Sequence, residues 1–281
     1  MKLVHFSDTH IGRGDNLARF ARVVDDLCGN PPDVPQRCCV VHTGDLIDSA
    51  SAAHRQAAKN QLDRLRDAGF RVFLCPGNHD YGNAAGIDKG DARAFIDCFR
   101  DYIFAQQAAE FPVVHLLDDR HALLLLDSNQ AELGWWNGFF AEGHLGSAQL
   151  RRLNEMLDRP EICARRIIVG LHHHPFSYAY SVTPDVGDGH LTHHLMVGLT
   201  RPFRRLMDAY SLCEIIRSRV QVLLFGHRHF GLNCSSNSQC YDIPLALDGG
   251  STTCTDDNGD RLRYRIVDLD QLTTQMRSLR A

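Results

Sequence analysis

Several things are missing from this sequence of 281 residues, and each absence excludes something. No apolar run approaches the ~20 residues needed to span a bilayer, which excludes a helical membrane protein. The opening residues, Met1-Lys2-Leu3-Val4-His5-Phe6, show no basic stretch followed by an apolar one, so no secretory signal is expected. A soluble, cytoplasmic protein is the expectation. There is no basic excess either. Lys and Arg number 30 against 34 Asp and Glu, for a net charge of −4, which argues against a nucleic-acid partner. No low-complexity linker and no fixed-period repeat interrupts the chain, so residues 1–281 read as a single domain. The ten cysteines form no framework, and a core of this size needs no disulfide staples. Cys234 and Cys240 alone flank a polar loop that they could close, a pairing that a reducing cytosol disfavours.

What is present is an ordinary globular balance, 44% hydrophobic and 23% charged, with an unusual sixteen histidines. The first half repeats one theme of strand, polar loop and helix. Strands are expected at Leu3 to Phe6, Cys38 to His42 and Arg71 to Leu74. Helices are expected from Leu17 to Cys28, with Phe20, Val23, Val24 and Leu27 on one face, and from Ala52 to Ala68. Connections this short imply a parallel sheet. Val113 to Leu117 and Ala122 to Asp127 read as a hairpin, followed by a helix from Ala148 to Leu157 and a strand from Arg166 to Leu171. A helix from Pro202 to Ser218 precedes a strand from Val220 to Phe225, and strands near Ile243 to Leu247 and Leu262 to Leu269 finish the chain.

Five loops, each directly after an expected strand, carry metal-type side chains. They are Asp8-Thr9-His10, Gly44-Asp45-Leu46-Ile47-Asp48, Gly77-Asn78-His79-Asp80, His172-His173-His174-Pro175 and Gly226-His227-Arg228-His229. Ligands of open α/β sheets bind beyond the carboxyl ends of strands, so the five loops can converge on one crevice. Carboxylate, imidazole and amide donors suit Mn, Fe or Zn rather than thiolate-seeking ions. In Asp8-x-His10 and His227-x-His229, residues i and i+2 of an extended segment point the same way and can reach one ion or two adjacent ions. Seven such donors are too many for one ion with open positions and fit a pair of ions sharing a carboxylate.

This ordered set resembles the calcineurin-like metallophosphoesterase family, from Asp8 to His229. The resemblance implies an α/β fold of two facing mixed β-sheets flanked by α-helices, a four-layer sandwich. It implies two divalent or mixed-valence metal ions, Mn, Fe or Zn. Asp8, His10 and His229 would hold the first, Asn78, His173 and His227 the second, and Asp45 would bridge them. His173 is chosen because the family ligand stands two residues before the proline; His172 and His174 remain alternatives. Two cations ~3.5–4 Å apart acidify a water between them, and the resulting hydroxide attacks phosphorus in line with the leaving group. His79 is implied as the catalytic residue that faces the leaving oxygen. Asp48 is implied as its orienting partner, the alternative being a helix cap.

The resemblance is nearest to bacterial phosphodiesterases of the cyclic-nucleotide type. A small phosphoester, with a nucleotide as one candidate, is therefore the expected partner. The alternatives are a repair-type DNA nuclease, a phosphomonoesterase or protein phosphatase, and a non-catalytic scaffold keeping the fold. The irregular segment 176–200 follows a ligand loop directly and reads as the substrate-specificity element. Trp135 and Trp136 read as core aromatics, and Arg13 and Arg228 as either phosphate contacts or surface ion pairs. Oligomeric state is not legible.

Overall fold

The computed structural model describes residues 1–83, 86–105, 108, 110–130, 142–176, 206–253 and 261–280. The strands are β1 (Lys2–Phe6), β2 (Cys38–Thr43), β3 (Arg71–Cys75), β4 (Gly82–Asn83), β5 (Gly86–Ile87), β6 (Val113–Leu116), β7 (His121–Leu125), β8 (Arg166–Gly170), β9 (Val222–Phe225), β10 (Leu245–Asp248), β11 (Arg261–Asp268) and β12 (Thr273–Arg280). The longer helices are α1 (Asn16–Gly29), α2 (Ala52–Asp67), α3 (Lys89–Cys98), α4 (Ser147–Leu157) and α5 (Ala209–Ile216). One sheet has the order β12-β11-β1-β2-β3, the other β10-β9-β8-β7-β6, and β4 and β5 form a small separate hairpin. Both large sheets are mixed, as expected. β1, β2 and β3 are parallel to one another, and β11 joins the edge of β1 antiparallel. In the second sheet β7 to β10 are parallel and β6 is the antiparallel edge.

The two sheets face each other, and period-2 alternation shows it. Leu123 and Leu125 of β7, Ile168 of β8, Val222 and Leu224 of β9, and Leu245 and Leu247 of β10 share one buried cluster with Leu3, Val41 and Val267 of the other sheet. Their alternate neighbours, Leu124, Ile167, Val169, Leu223 and Ala246, pack instead against Leu150 and Leu153 of α4 and Leu212 and Ile216 of α5. On the outer side of the first sheet, α1 buries Phe20, Val23, Val24 and Leu27, the four residues whose spacing marks it in the sequence. The order is helices, sheet, sheet, helices.

Two elements depart from expectation. β12, of sequence TTQMRSLR, is a full strand paired with β11 over eight residues. Its polar alternation carries too little apolar signal to read as a strand, because it is an edge with one face in water. α3 is missing from the sequence reading for a similar reason, since it buries only Phe95 fully. Residues 201–205 lie outside the described residues, and the helix expected from Pro202 to Ser218 is seen as the shorter α5. The element proposed for 176–200 falls, after Phe176, on residues outside those described, as do Trp135, Trp136, His190, His193 and His194.

Candidate metal centre

The carboxyl ends of β1, β2, β3, β8 and β9 point to one end of the sandwich, and the five ligand-type loops leave from there. The local backbone of these loops is unusual. Asp8, His10, Asp45, His227 and His229 all have positive φ, of 51°, 44°, 52°, 73° and 62°. For residues with a Cβ this left-handed region costs roughly 1–2 kcal/mol each. Such strain persists only where surrounding contacts over-determine it, and it clusters at functional sites. Main-chain bonds supply part of the restraint: Asp8 N donates to Gly44 O and His10 N to Asp45 O, both at 3.0 Å.

Among the described residues the donor atoms form three groups, one of them His10, Asp48 and His79, which shares His10 with another. Asp8, His10 and His229 present donors within 4.8 Å of one another, and so do Asp45, His172 and His227. In the first, His10 Nε2 lies 3.1 Å from His229 Nε2, and His229 Nε2 lies 3.2 Å from Asp8 Oδ1. In the second, His172 Nε2 is 3.1 Å from His227 Nδ1, 3.1 Å from Asn78 Oδ1 and 3.3 Å from Asp45 Oδ2. Two donors each ~2.1 Å from one ion stand about 3.0–3.4 Å apart for octahedral to tetrahedral angles. The observed separations fall in that range, so these nitrogens and oxygens fit two ions. Asp45 Oδ2 is also 3.8 Å from His10 Nε2, which places this oxygen between the groups. Asp45 Oδ1 is turned away and accepts from His79 N at 2.9 Å.

The electrostatics agree. Burial works against ionisation of Asp45, yet His172, His79 and His10 around it hold its carboxyl well below the usual range. Burial likewise opposes the charge on Asp8, and His229 outweighs it. Burial disfavours charge on His172 too, but Asp45 and Asp8 push its pKa up to about 10. Two buried carboxylates thus call for positive charge at this point. Asp8, His10, Asp45, His172 and His227 are buried, whereas Asn78, His79, Asp48 and His229 are half-buried and form the open side.

The side chains of two residues are placed differently from expectation. The ring that reaches Asn78, His227 and Asp45 belongs to His172, where counting back from Pro175 selects His173. Gly226 N donates to His172 O at 2.9 Å and His172 Nδ1 donates to Thr43 O at 2.8 Å, so its Nε2 is aimed at the centre. His173 Nδ1 meets Ser128 Oγ at 2.8 Å, and its ring lies 4.5 Å from that of His227, beside the same group.

The second is Asp48. Its main-chain carbonyl, not its carboxylate, accepts from His79 Nδ1 at 2.9 Å. Asp48 N donates to Ile11 O, which runs this segment alongside the first loop and turns the side chain toward His10, with Oδ1 3.4 Å from His10 Nδ1. Asp48 does not cap α2, whose N-terminal cap is Ser51 accepting from His54 N. His79 is half-buried. Burial lowers its pKa, but Asp45 and Asp48 more than compensate and raise it above the ordinary value.

Asp80 has a role that its sequence position in Gly77-Asn78-His79-Asp80 signals only weakly. It is buried and accepts from Gly77 N at 2.8 Å and Ile47 N at 3.0 Å, tying the loops after β2 and β3 together. Arg228 is buried, which removes the reading of a surface ion pair, and Arg13 is exposed. Cys234 and Cys240 are free thiols, the first buried against His174 and the second exposed.

The profile of the family described as calcineurin-like phosphoesterase matches residues 1–231. No curated protein matches the sequence. Among solved structures, the chain is similar to a dimetal phosphatase from Danio rerio, with TM-score 0.58 and 14% identity over 100% of this chain and 96% of that one. It is similar to a phosphopantetheinyl hydrolase from Mycobacterium tuberculosis, with TM-score 0.52 and 12% identity over 89% of each chain. A purple acid phosphatase from yellow lupin seeds gives TM-score 0.53 and 12% identity, over 98% of this chain and 53% of that one. At these identities the likeness is one of fold.

Proposed function

This chain belongs to the calcineurin-like phosphoesterase family, and we propose that it hydrolyses small phosphodiesters at a centre of two metal ions. Asp8, His10 and His229 would hold one ion. Asn78, His172 and His227 would hold the other, with Asp45 placed between the two. The observation that carries this reading is the position of Asp45 Oδ2, 3.3 Å from His172 Nε2 and 3.8 Å from His10 Nε2.

The ions, when bound, supply Lewis acidity toward the phosphoryl oxygens and the attacking water. The chain's own residues do the rest. The left-handed loops hold the donors at fixed separation. Asp48 O accepts from His79 Nδ1 and so fixes which ring nitrogen carries that proton. That leaves the other ring nitrogen of His79 to serve the leaving oxygen. Substrate approaches over Asn78, His79, Asp48 and His229, the half-buried side, and residues 176–200 supply specificity. We assign manganese, iron or zinc on the nitrogen-and-oxygen donor set. We also propose a cytoplasmic location; among the described residues no helix is long and apolar enough to cross a membrane.

The test is hydrolysis of bis(p-nitrophenyl) phosphate and p-nitrophenyl phosphate with added Mn²⁺. Diester turnover above that of the Asn78→Ala and His79→Ala variants is expected, with the diester preferred. Turnover no higher than in those variants refutes the assignment, and preference for the monoester makes the protein a phosphomonoesterase.

A further inference from the structure

The segment after β10, Gly249-Gly250-Ser251-Thr252-Thr253, lies beyond residue 231, where the family match ends. Ser251, Thr252 and Thr253 are nevertheless among the most buried polar residues, at 1%, 0% and 0% exposure. They run along the start of the first ligand loop, and three consecutive carbonyls of that loop accept from them. Thr252 N donates to Ser7 O at 3.0 Å, Ser251 Oγ to Asp8 O at 2.6 Å, and Thr253 Oγ1 to Thr9 O at 2.6 Å. In return Ser7 N donates to Thr252 Oγ1 at 3.2 Å.

This arrangement replaces a strand. The ladder between β1 and β11 ends at His5, and the one between β1 and β2 ends at Phe6. Residues 7 to 9 are buried, so their carbonyls need partners. An ordinary neighbouring strand cannot follow them, because Asp8 and His10 are left-handed. Hydroxyl groups reach where a regular ladder cannot. The approach is close enough to exclude side chains on the glycines: a Cβ on Gly249 would stand 2.8 Å from Ser7 Cβ and 2.9 Å from the His5 ring. A Cβ on Gly250, whose φ is 66°, would stand 2.9 Å from Gly231 Cα, just past His229. The segment therefore braces both carriers of the Asp8, His10 and His229 group.

We infer that Ser251 and Thr253 are positioning residues for the first metal site, holding Asp8 and His10 in the left-handed backbone from which both can reach one ion. The inference rests on the two-ion reading above. Groups that orient metal ligands without touching the metal are worth 10–100-fold in affinity, and an effect of that order, about 10–100-fold, is expected here.

The test is calorimetric titration of the metal-free full chain with Mn²⁺, for the natural protein, Ser251→Ala, Thr253→Val, the double variant and Thr253→Ser. The natural protein is expected to bind two ions. The valine variant keeps the volume of Thr253 and loses only its hydroxyl, so it carries the test if the double variant does not fold. Expected is a 10–100-fold weakening of one of the two sites, with the other unchanged, in variants whose circular dichroism is native at the titration temperature. Thr253→Ser keeps the hydroxyl and should bind like the natural protein. Unchanged affinity at both sites in folded Thr253→Val and Ser251→Ala overturns the inference and leaves the two-ion reading intact. A natural protein that binds no Mn²⁺, Fe²⁺ or Zn²⁺ overturns both.

Discussion

His172 Nε2 stands 3.1 Å from Asn78 Oδ1, joining the loop after β8 to the loop after β3 across the gap between the two sheets. His173, its neighbour in sequence, faces Ser128 instead. The first prediction separates them. His172→Ala should lower the metal content from about two ions per chain to about one, measured by inductively coupled plasma mass spectrometry. His173→Ala should keep both ions and lose about 1–3 kcal/mol of stability, because Ser128 Oγ is left buried without its ring partner. The reverse pattern would restore His173 to the ligand set.

His79 touches Asp45 and Asp48 through its main-chain N and its Nδ1, and its donor group is the one with His10 and Asp48, apart from the two built on Asp8 and Asp45. His79→Ala should therefore retain both ions while kcat falls about 10²–10⁴-fold, the usual worth of a positioned proton donor. Steady-state kinetics beside metal analysis on the same sample checks this. A variant that loses metal in proportion to activity would show His79 to be a ligand.

Gly226 begins the loop that carries His227 and His229, and a Cβ there would overlap Ser7 Oγ and Asp8 Oδ2. Ser7 Oγ already donates to Asp8 Oδ2 at 2.5 Å, and Thr43 Oγ1 donates to Ser7 Oγ at 2.9 Å, so nothing nearby can give way without moving a ligand. Gly226→Ala should cost about 1–3 kcal/mol in urea unfolding and also weaken binding of the first ion. Wild-type stability together with wild-type metal content would contradict the close approach.

Asp127, at the end of β7, is buried and accepts from Asn129, Gln130 and Tyr81. Burial outweighs these donors and raises its pKa above the ordinary carboxylate value. The folded chain then keeps a proton that the unfolded chain releases first. The stabilising contribution is complete below the unfolded pKa of about 3.9 and is lost as pH rises through the folded value. Asp127→Asn removes this titration. Urea midpoints measured from about pH 4 to about pH 8 should therefore fall more steeply for the natural protein than for the variant. Parallel curves would show that Asp127 is ionised throughout.

Much of the fold is legible in the chain because strand, loop and helix alternate with clear signals in the first half. Phe20, Val23, Val24 and Leu27 mark α1 by spacing alone, and all four are buried. β12 escapes notice because edge strands carry polar residues on one face, and its Thr, Gln, Arg and Ser positions look like loop. The choice between His172 and His173 is invisible to spacing, since both are histidines and only the direction of each ring distinguishes them. Asp48 illustrates the same limit. Its identity suggests a carboxylate partner for His79, whereas the chain path presents its carbonyl.

By itself the sequence determines the family and the five loops that carry donors, because these follow from residue types in a given order after recognisable strands. The tertiary structure decides that the ring of His172 meets Asn78 and His227 while His173 Nδ1 meets Ser128, that Asp45 Oδ2 lies between the two groups, and that Ser251, Thr252 and Thr253, some 240 residues away in the chain, close over Asp8. The reason is physical. Asp8, His10, Asp45, His227 and His229 adopt a backbone that disfavours L residues. No local preference encodes that conformation; only contacts from distant segments hold it.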